Sequence, residues 1–499
     1  MNQPRIEEWA GRAFATLLAS CALFSIILAL FSLLAPQQLD YEEGNILNAG
    51  LRIAQGLTPY PDPHGWPIVL NPYGPVPYLA TAGLIKLFGL GFTAPRVLTV
   101  LAALAISAIL TILLRHWGHS WPVGIGFGAM FLCTPVAVHW LPVLRVDMMG
   151  LALALAGLSV VALAPKWWSL AVLLFVAALF VKWSLLAAPA ACALHLIAKR
   201  QWKQLGQMAV VGIVLALAGF LAMQAWSTGH FAFHIFGTHP DPFSPFDYVA
   251  AVARLLRAQA FLAVLALIAF VRDVRRDGSS LSSFYLLTSL FGAATIGKSG
   301  SNTNHLLELT AALCLSGGLG WGVVAGWLRA KHKAALSALA LAGVTAASLA
   351  SFTFRLPSKP SDGCEQAYAF LRAQGDRVLA ENVGALLLAG KPVLLSNPFV
   401  FTQLVAYKGW SDAPLRDRLR AQQFDAVLLA TPLKLYMLNE RWPPGVLKQI
   451  EMSYHPAARF SCYEAGVAFL PNQTPSAAPG GRADSSAEQG WAKKPVGGR

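Results

Sequence analysis

Residues 36–78 read PQQLDYEEGNILNAGLRIAQGLTPYPDPHGWPIVLNPYGPVPY, directly after a long apolar segment over 14–35. The chain holds only 24 Asp and Glu in 499 residues, yet Asp40, Glu42 and Glu43 fall within four positions here. An ionisable group at a bilayer mouth is costly, so such a cluster marks a functional site by default. A local role competes with that reading. Asp40 precedes Glu43 by three residues, which is a capping-box spacing able to open a helix through 44–55. The two readings are compatible.

Outward from this loop the chain is overwhelmingly apolar. It is 56% hydrophobic and 12% charged, with a mean hydropathy of +0.53. Apolar runs of about 20 residues recur through residue 354, the length needed to cross a bilayer. The expectation is a polytopic α-helical membrane protein. A net charge of +14 could suggest nucleic acid, but the basic residues fall in short clusters between apolar segments, as the positive-inside rule requires. The segment 14–35 is too long for a cleavable signal and continues into the acidic loop, so it reads as a retained first span.

The remaining expected spans are 94–114, 122–141, 146–164, 168–181, 183–198, 206–226, 250–271, 281–297, 305–328 and 334–353, eleven with the first. The run 76–90 is shorter and interrupted by Gly83 and Lys86. Charge parity decides its role. Arg115/His116, Lys166, Lys199/Arg200/Lys203, Arg272/Arg275/Arg276 and Arg329/Lys331/Lys333 occupy alternate connections. They share the N-terminal, cytoplasmic side only if 76–90 does not cross, and it is read as a helix at the outer surface. The outer side then carries 40–78, Arg145 with Asp147, Lys182, the loops 227–249 and 298–304, and everything after 354. A break at Lys182 is essential to this parity, because merging 168–181 with 183–198 would flip all that follows.

The outer connections hold the other polar candidates. Asp147 beside Arg145 opens a span, where a carboxylate suits a helix N-terminus. Lys182 between two apolar runs is either a snorkelling lysine or a cation for a phosphate. His230, His234 and His239 match no zinc spacing and read as surface histidines. The run GKSGSNTNHLLE brings Lys298, Asn302, Asn304, His305 and Glu308 to another mouth. Lysine, amides and backbone N–H groups there can hold a phosphate; no Walker motif is present.

From 355 the composition becomes that of a soluble α/β domain over 355–472, followed by an Ala/Gly/Ser/Pro-rich tail, 473–499, expected to be disordered. Strands are expected at 377–381, 392–396, 425–430 and 467–471, and helices at 362–374, 412–423 and 443–452, giving a small, mostly parallel sheet. Cys21, Cys133, Cys192 and Cys314 lie in apolar segments. Cys364 and Cys462 share the polar region and would pair if it is extracytoplasmic.

The order of LDYEEGNILNAGLRIAQGLTPYPDP, NPYGPVPYLATAGLIKLFG, a span opening APRVL, RVDMMGLALALAGL and GSNTNHLLE resembles the GT-C superfamily of integral-membrane glycosyltransferases. It is similar to the bacterial dolichyl-phosphate-mannose–protein mannosyltransferase-like and aminoarabinose-transferase-like proteins. The resemblance covers about 14–354. It implies an acidic catalytic motif and two juxtamembrane helices in the first outer loop. Carried over, the motif falls on Asp40–Glu43; Asp40 and Glu43 are expected as the catalytic pair, sharing a helix face, with Glu42 secondary. Asp147 matches a second outer acidic position, and Tyr73, Pro75 and Tyr78 match a Pro/Tyr motif expected to shape the acceptor cleft. Lys182 and Lys298 are the expected phosphate ligands, with Arg145, Asn302, Asn304, His305 and Glu308 also substrate-facing.

The implied activity is transfer of a sugar from a polyprenyl-phosphate donor to an acceptor on the extracytoplasmic face of a bacterial inner membrane. The implied reaction is inverting, with a carboxylate general base. No cofactor is implied with certainty. Some members use a divalent metal, but no DxD is present. The alternative is a transporter or flippase, which would place charges at mid-span and show paired halves; neither is evident.

Overall fold

The structure is a computed structural model that describes residues 3–276, 278, 280–331, 333–356, 361–433 and 441–472. The expected tail over 473–499 lies outside the described residues.

A bundle of apolar helices carries the chain to residue 351. Among the described residues six are long and apolar enough to cross a membrane: Arg5–Leu33, Thr93–His116, Val146–Leu163, Trp202–Trp226, Thr303–Ala330 and Ala334–Ser351. Each of the other expected spans is also helical, but shorter or broken. Trp121–Cys133 gives way at Thr134 and Pro135 to a short helix, Pro135–Trp140, as expected where a proline removes a helix hydrogen bond. The expected span 250–271 is corrected most: Pro245–Ala258 and Ala260–Val274 meet at Gln259 with a 97° bend. The break at Lys182 is real. One helix ends at Leu179 and the next begins only at Ala187, not at 183 as expected.

The first loop folds as two helices. Tyr41–Ala54 starts at 41 rather than 44, because Asp40 is its N-cap and Glu42 and Glu43 occupy the first turn, complementing the helix dipole. Pro75–Phe88 opens on proline at its first position and stops at Gly89, whose φ is +84°. Its 14 residues reach roughly 21 Å, too short to cross a bilayer.

Among the described residues the C-terminal region adds four strands: β1 (Val378–Ala380), β2 (Ala426–Leu429), β3 (Tyr454–Arg459) and β4 (Val467–Pro471). Their order is β1-β2-β4-β3, with β1 and β2 parallel and both contacts of β4 antiparallel, so the sheet is mixed rather than mostly parallel. Strand β3 was not anticipated: it is an exposed edge containing Pro456, and lacks the buried apolar run by which β1 and β2 are recognised. Residues 392–396 do not join the sheet. Leu395 instead bridges Ile68 of the first loop. Helices Val383–Leu388 and Pro398–Lys408 fill the interval.

These pieces are welded together. A buried apolar cluster combines Ile46, Leu47, Tyr60 and Tyr78 of the loop with Tyr368, Val378 and Leu386 of the C-terminal region. Gly44 is required for the contact, since a Cβ there would lie 2.5 Å from the backbone nitrogen of Gly384. Cys364 and Cys462 are disulfide-bonded, with Cα atoms 4.6 Å apart.

Candidate active site

The three loop acids do three different things. Asp40 accepts the backbone N–H of Glu42 (3.1 Å) and pairs with the Nε of Arg145 at 3.3 Å, keeping 15% of its side chain exposed. Glu42 accepts from Asn45 (3.3 Å) and from Asn397 (3.1 Å), a residue of the C-terminal region. Burial pushes its carboxyl above the usual range, against the pull of Arg145, and Asp40 adds to the push.

Glu43 departs from the expected shared face with Asp40. It is fully buried and grips Arg96 through both oxygens (2.8 and 2.7 Å). It also accepts the backbone N–H groups of Leu39 and Leu144. Arg96 spends its other donors on the carbonyls of Ala35 and Gln37. Glu43 therefore reaches back past the cap, as a capping glutamate does, and ties the loop to the span Thr93–His116.

From Asp40 a polar seam runs inward. Arg145 also donates to the Tyr73 hydroxyl (3.4 Å) and lies over the Trp140 ring, 5.0 Å from its centroid. Two residues on, Asp147 is buried and held by Lys182 (2.7 Å) and the Asn304 amide (3.0 Å). Lys182 sits in the helix break, which lets one lysine reach the start of a neighbouring span. Beside it, Trp183 lies under the ammonium of Lys298 at 5.8 Å and against His239. Lys298 makes no ion pair among the described residues, whereas Lys182 is committed to Asp147. A small cavity at this end is lined by Asp147, Lys182, Asn304, His305 and Glu308. His305 contacts Thr295 at 2.7 Å, and one Glu308 oxygen has no partner among the described residues.

Other expected residues lie apart from the seam. Tyr78 is buried and its hydroxyl accepts the N–H of Tyr73. Asn302 is exposed and caps its own turn. His234 corrects the surface reading: it is fully buried, accepting from the Asn71 N–H (3.2 Å) and contacting the Pro61 carbonyl (2.8 Å). With Nδ1 accepting, the proton sits on Nε2. Burial lowers its pKa to about 4, and that of His239 also to about 4.

Three contributors escaped the sequence reading. Arg96 lies inside the APRVL motif, yet nothing local identifies its partner. Asn397 orients Glu42, and its Oδ1 accepts from the Tyr41 hydroxyl. Arg441 stacks on the Tyr41 ring at 4.6 Å and pairs with Glu381 and Glu464. Burial and the neighbouring Glu381 raise the Glu464 carboxyl to about 7, against Arg441. Among the described residues no three His, Cys, Asp or Glu side chains converge as a metal ion requires. Asp40 faces an arginine.

No protein-family model matches the sequence, and no curated protein does. Solved structures share the fold. ArnT from Cupriavidus metallidurans, bound to undecaprenyl phosphate, aligns with a TM-score of 0.62 at 12% identity, over 92% of this chain and 98% of that one. The apo oligosaccharyltransferase of Archaeoglobus fulgidus gives 0.56 at 12% identity, over 89% and 73%. AglB from the same organism, with an inhibitory peptide and a dolichol-phosphate, gives 0.51 at 12% identity, over 89% and 72%. The chain shares its fold with ArnT and with the oligosaccharyltransferase AglB, in keeping with the resemblance carried by the order of motifs.

Proposed function

We propose that this chain is a membrane glycosyltransferase that moves a sugar from a polyprenyl phosphate to an acceptor. The observation that carries the reading is Asp40. It is a partly exposed carboxylate fixed by Arg145 at the head of a polar seam that ends at Lys298, in a fold shared with proteins bound to undecaprenyl phosphate and dolichol-phosphate. Asp40 takes the proton of the acceptor hydroxyl or amine as that atom attacks the anomeric carbon. The bond from that carbon to the phosphate oxygen breaks, the configuration inverts, and the lipid phosphate leaves with the bonding pair. Lys298, assisted by Arg145, stabilises the charge that develops on it.

Glu43 is a positioning residue in this scheme, since its buried pair with Arg96 and its bond to Leu144 N fix the loop one residue from Arg145. Glu42, held by Asn397, is the second carboxylate of the cleft and couples it to the C-terminal region. We take residues 1–354 as the transmembrane catalytic domain and 355–472 as an acceptor-recognising one. The disulfide supports an extracytoplasmic placement of the latter, facing the periplasm from an inner membrane.

The deciding experiment incubates purified protein with a polyprenyl-phosphate-linked sugar, without nucleotide, and follows release of the lipid phosphate. Release that requires Asp40 supports transfer. Vesicle-to-vesicle or leaflet-to-leaflet movement of the intact lipid, with no release, would establish a flippase instead.

A further inference from the structure

A second cavity lies far from the acidic loop. It occupies about 960 Å³ among the first turns of the N-terminal helix, the connection 117–123, the end of Ala260–Val274, the last half of Thr303–Ala330 and the start of Ala334–Ser351. The helix Thr93–His116 links the two places, with Arg96 beside Glu43 at one end and Arg115 at this cavity at the other. Nineteen residues at 1.5 Å each separate them by roughly 28 Å.

The lining divides by chemistry. Trp321, Ala325 and Leu341 are buried and give an apolar floor. The rim carries more arginines than acids, and two of its three acids are ion-paired. Glu8 pairs with Arg12, Glu7 with Arg329 at 3.6 Å, and Asp273 accepts the Ser280 N–H. Arg115, Arg272 and Arg276 form no ion pair among the described residues; Arg115 donates to the His119 carbonyl at 3.0 Å. His119 is wedged against Gly322, where a Cβ would stand 2.4 Å from its ring. Burial and the fields of Arg329 and Arg272 hold its imidazole below the usual range.

Basic residues and tryptophans at one end of a bundle are ordinary in a membrane protein. A concavity with an apolar floor, and with arginines at its rim that form no ion pair among the described residues, is more than orientation requires. Guanidinium forks match phosphate oxygens in pairs, and the floor suits a carbon skeleton attached to them.

We propose that this cavity binds a phosphate-bearing anion, held by Arg115, Arg272 and Arg276 at the rim and resting its carbon skeleton on the Trp321–Leu341 floor. The site is independent of sugar transfer. The phosphate has two available sources, an anionic lipid headgroup or a soluble phosphate compound.

The test uses the full chain in a neutral detergent, with dioleoyl phosphatidylglycerol and inorganic phosphate as separate probes, read by native mass spectrometry and thermal shift. Saturable binding of at least one probe is expected. It should weaken roughly 30-fold in Arg272→Ala/Arg276→Ala, at about fivefold per arginine near an anionic surface. Binding of the lipid that millimolar inorganic phosphate does not displace assigns the headgroup; displacement assigns the soluble source. Arg200→Ala/Lys203→Ala, which removes equal charge from another connection, should leave binding unchanged. Failure of both probes to bind the unaltered chain overturns the proposal. So does an equal loss in the Arg200/Lys203 variant, because diffuse charge then explains the effect. Should the alanine pair not fold, Arg272→Lys/Arg276→Lys keeps the charge, removes the forks, and is expected to bind more weakly than the unaltered chain.

Discussion

Glu43 and Arg96 form a two-bond pair with both side chains at 0% exposure, joining the acidic loop to a membrane helix 53 residues away. The pair closes completely: every guanidinium nitrogen donates to Glu43 or to the carbonyls of Ala35 and Gln37. Removing one partner leaves a buried charge without its counter-charge, at a cost of about 3–5 kcal/mol. Glu43→Gln should therefore lower the melting temperature and the yield of monodisperse protein. A variant that melts with the unaltered chain would remove Glu43 from this structural role.

Asp40→Asn should behave in the opposite way. Asparagine caps a helix about as well as aspartate, so Tyr41–Ala54 keeps its start. The amide cannot take a proton, and kcat should fall by about 10²- to 10⁴-fold, with a smaller loss of melting temperature than Glu43→Gln because the partly exposed amide oxygen still accepts from Arg145. Turnover of the lipid-linked sugar and thermal unfolding, measured on one preparation, separate the two acids.

Lys298→Ala tests the other end of the seam. Losing a charge-assisted contact of about 1.5–3 kcal/mol should weaken donor binding by about 10- to 100-fold. The change should appear mainly in KM for the lipid donor. Lys182→Ala should instead destabilise the fold, since it strips buried Asp147 of its partner. Equal kinetic behaviour of the two lysine variants would contradict this division.

His234 predicts a pH dependence of stability. Its folded pKa, about 4, lies below the ordinary value near 6.5, so the unfolded chain binds more protons between those values. The stability it contributes is present above pH 6.5 and is lost as the pH falls towards 4, by about 3 kcal/mol at most. His234→Gln has no such proton to take up. The advantage of the unaltered chain over this variant should shrink on acidification, as followed by denaturant unfolding at pH 7, 6, 5 and 4.5.

The Cys364–Cys462 bridge closes 98 residues of the C-terminal region. Opening it should destabilise that region by about 2–4 kcal/mol. Cys364→Ala/Cys462→Ala is expected to lower the C-terminal unfolding transition in proteolysis or calorimetry. Denatured, unaltered protein should gain two labelled thiols only after reduction.

What the sequence determined by itself was set by one-dimensional physics. Apolar length fixes a helical membrane bundle, because no other open backbone is satisfied in hydrocarbon. Asp40 and Glu43 announce a helix, placed three residues late, Gly83 and Lys86 set 76–90 apart from the spans, and the order of motifs resembles the GT-C superfamily. Tertiary structure decided which acid faces what. Asp40 and Glu43 have the same chemistry and lie three positions apart, yet one is left partly exposed beside Arg145 and the other is sealed against Arg96. The same holds for the two lysines, of which Lys182 is consumed by Asp147 while Lys298 stays unpaired among the described residues. It holds also for Asn397, 355 residues from the Glu42 it holds. A side chain's partner depends on which distant segment the fold brings against it, and local periodicity and composition carry no information about that approach.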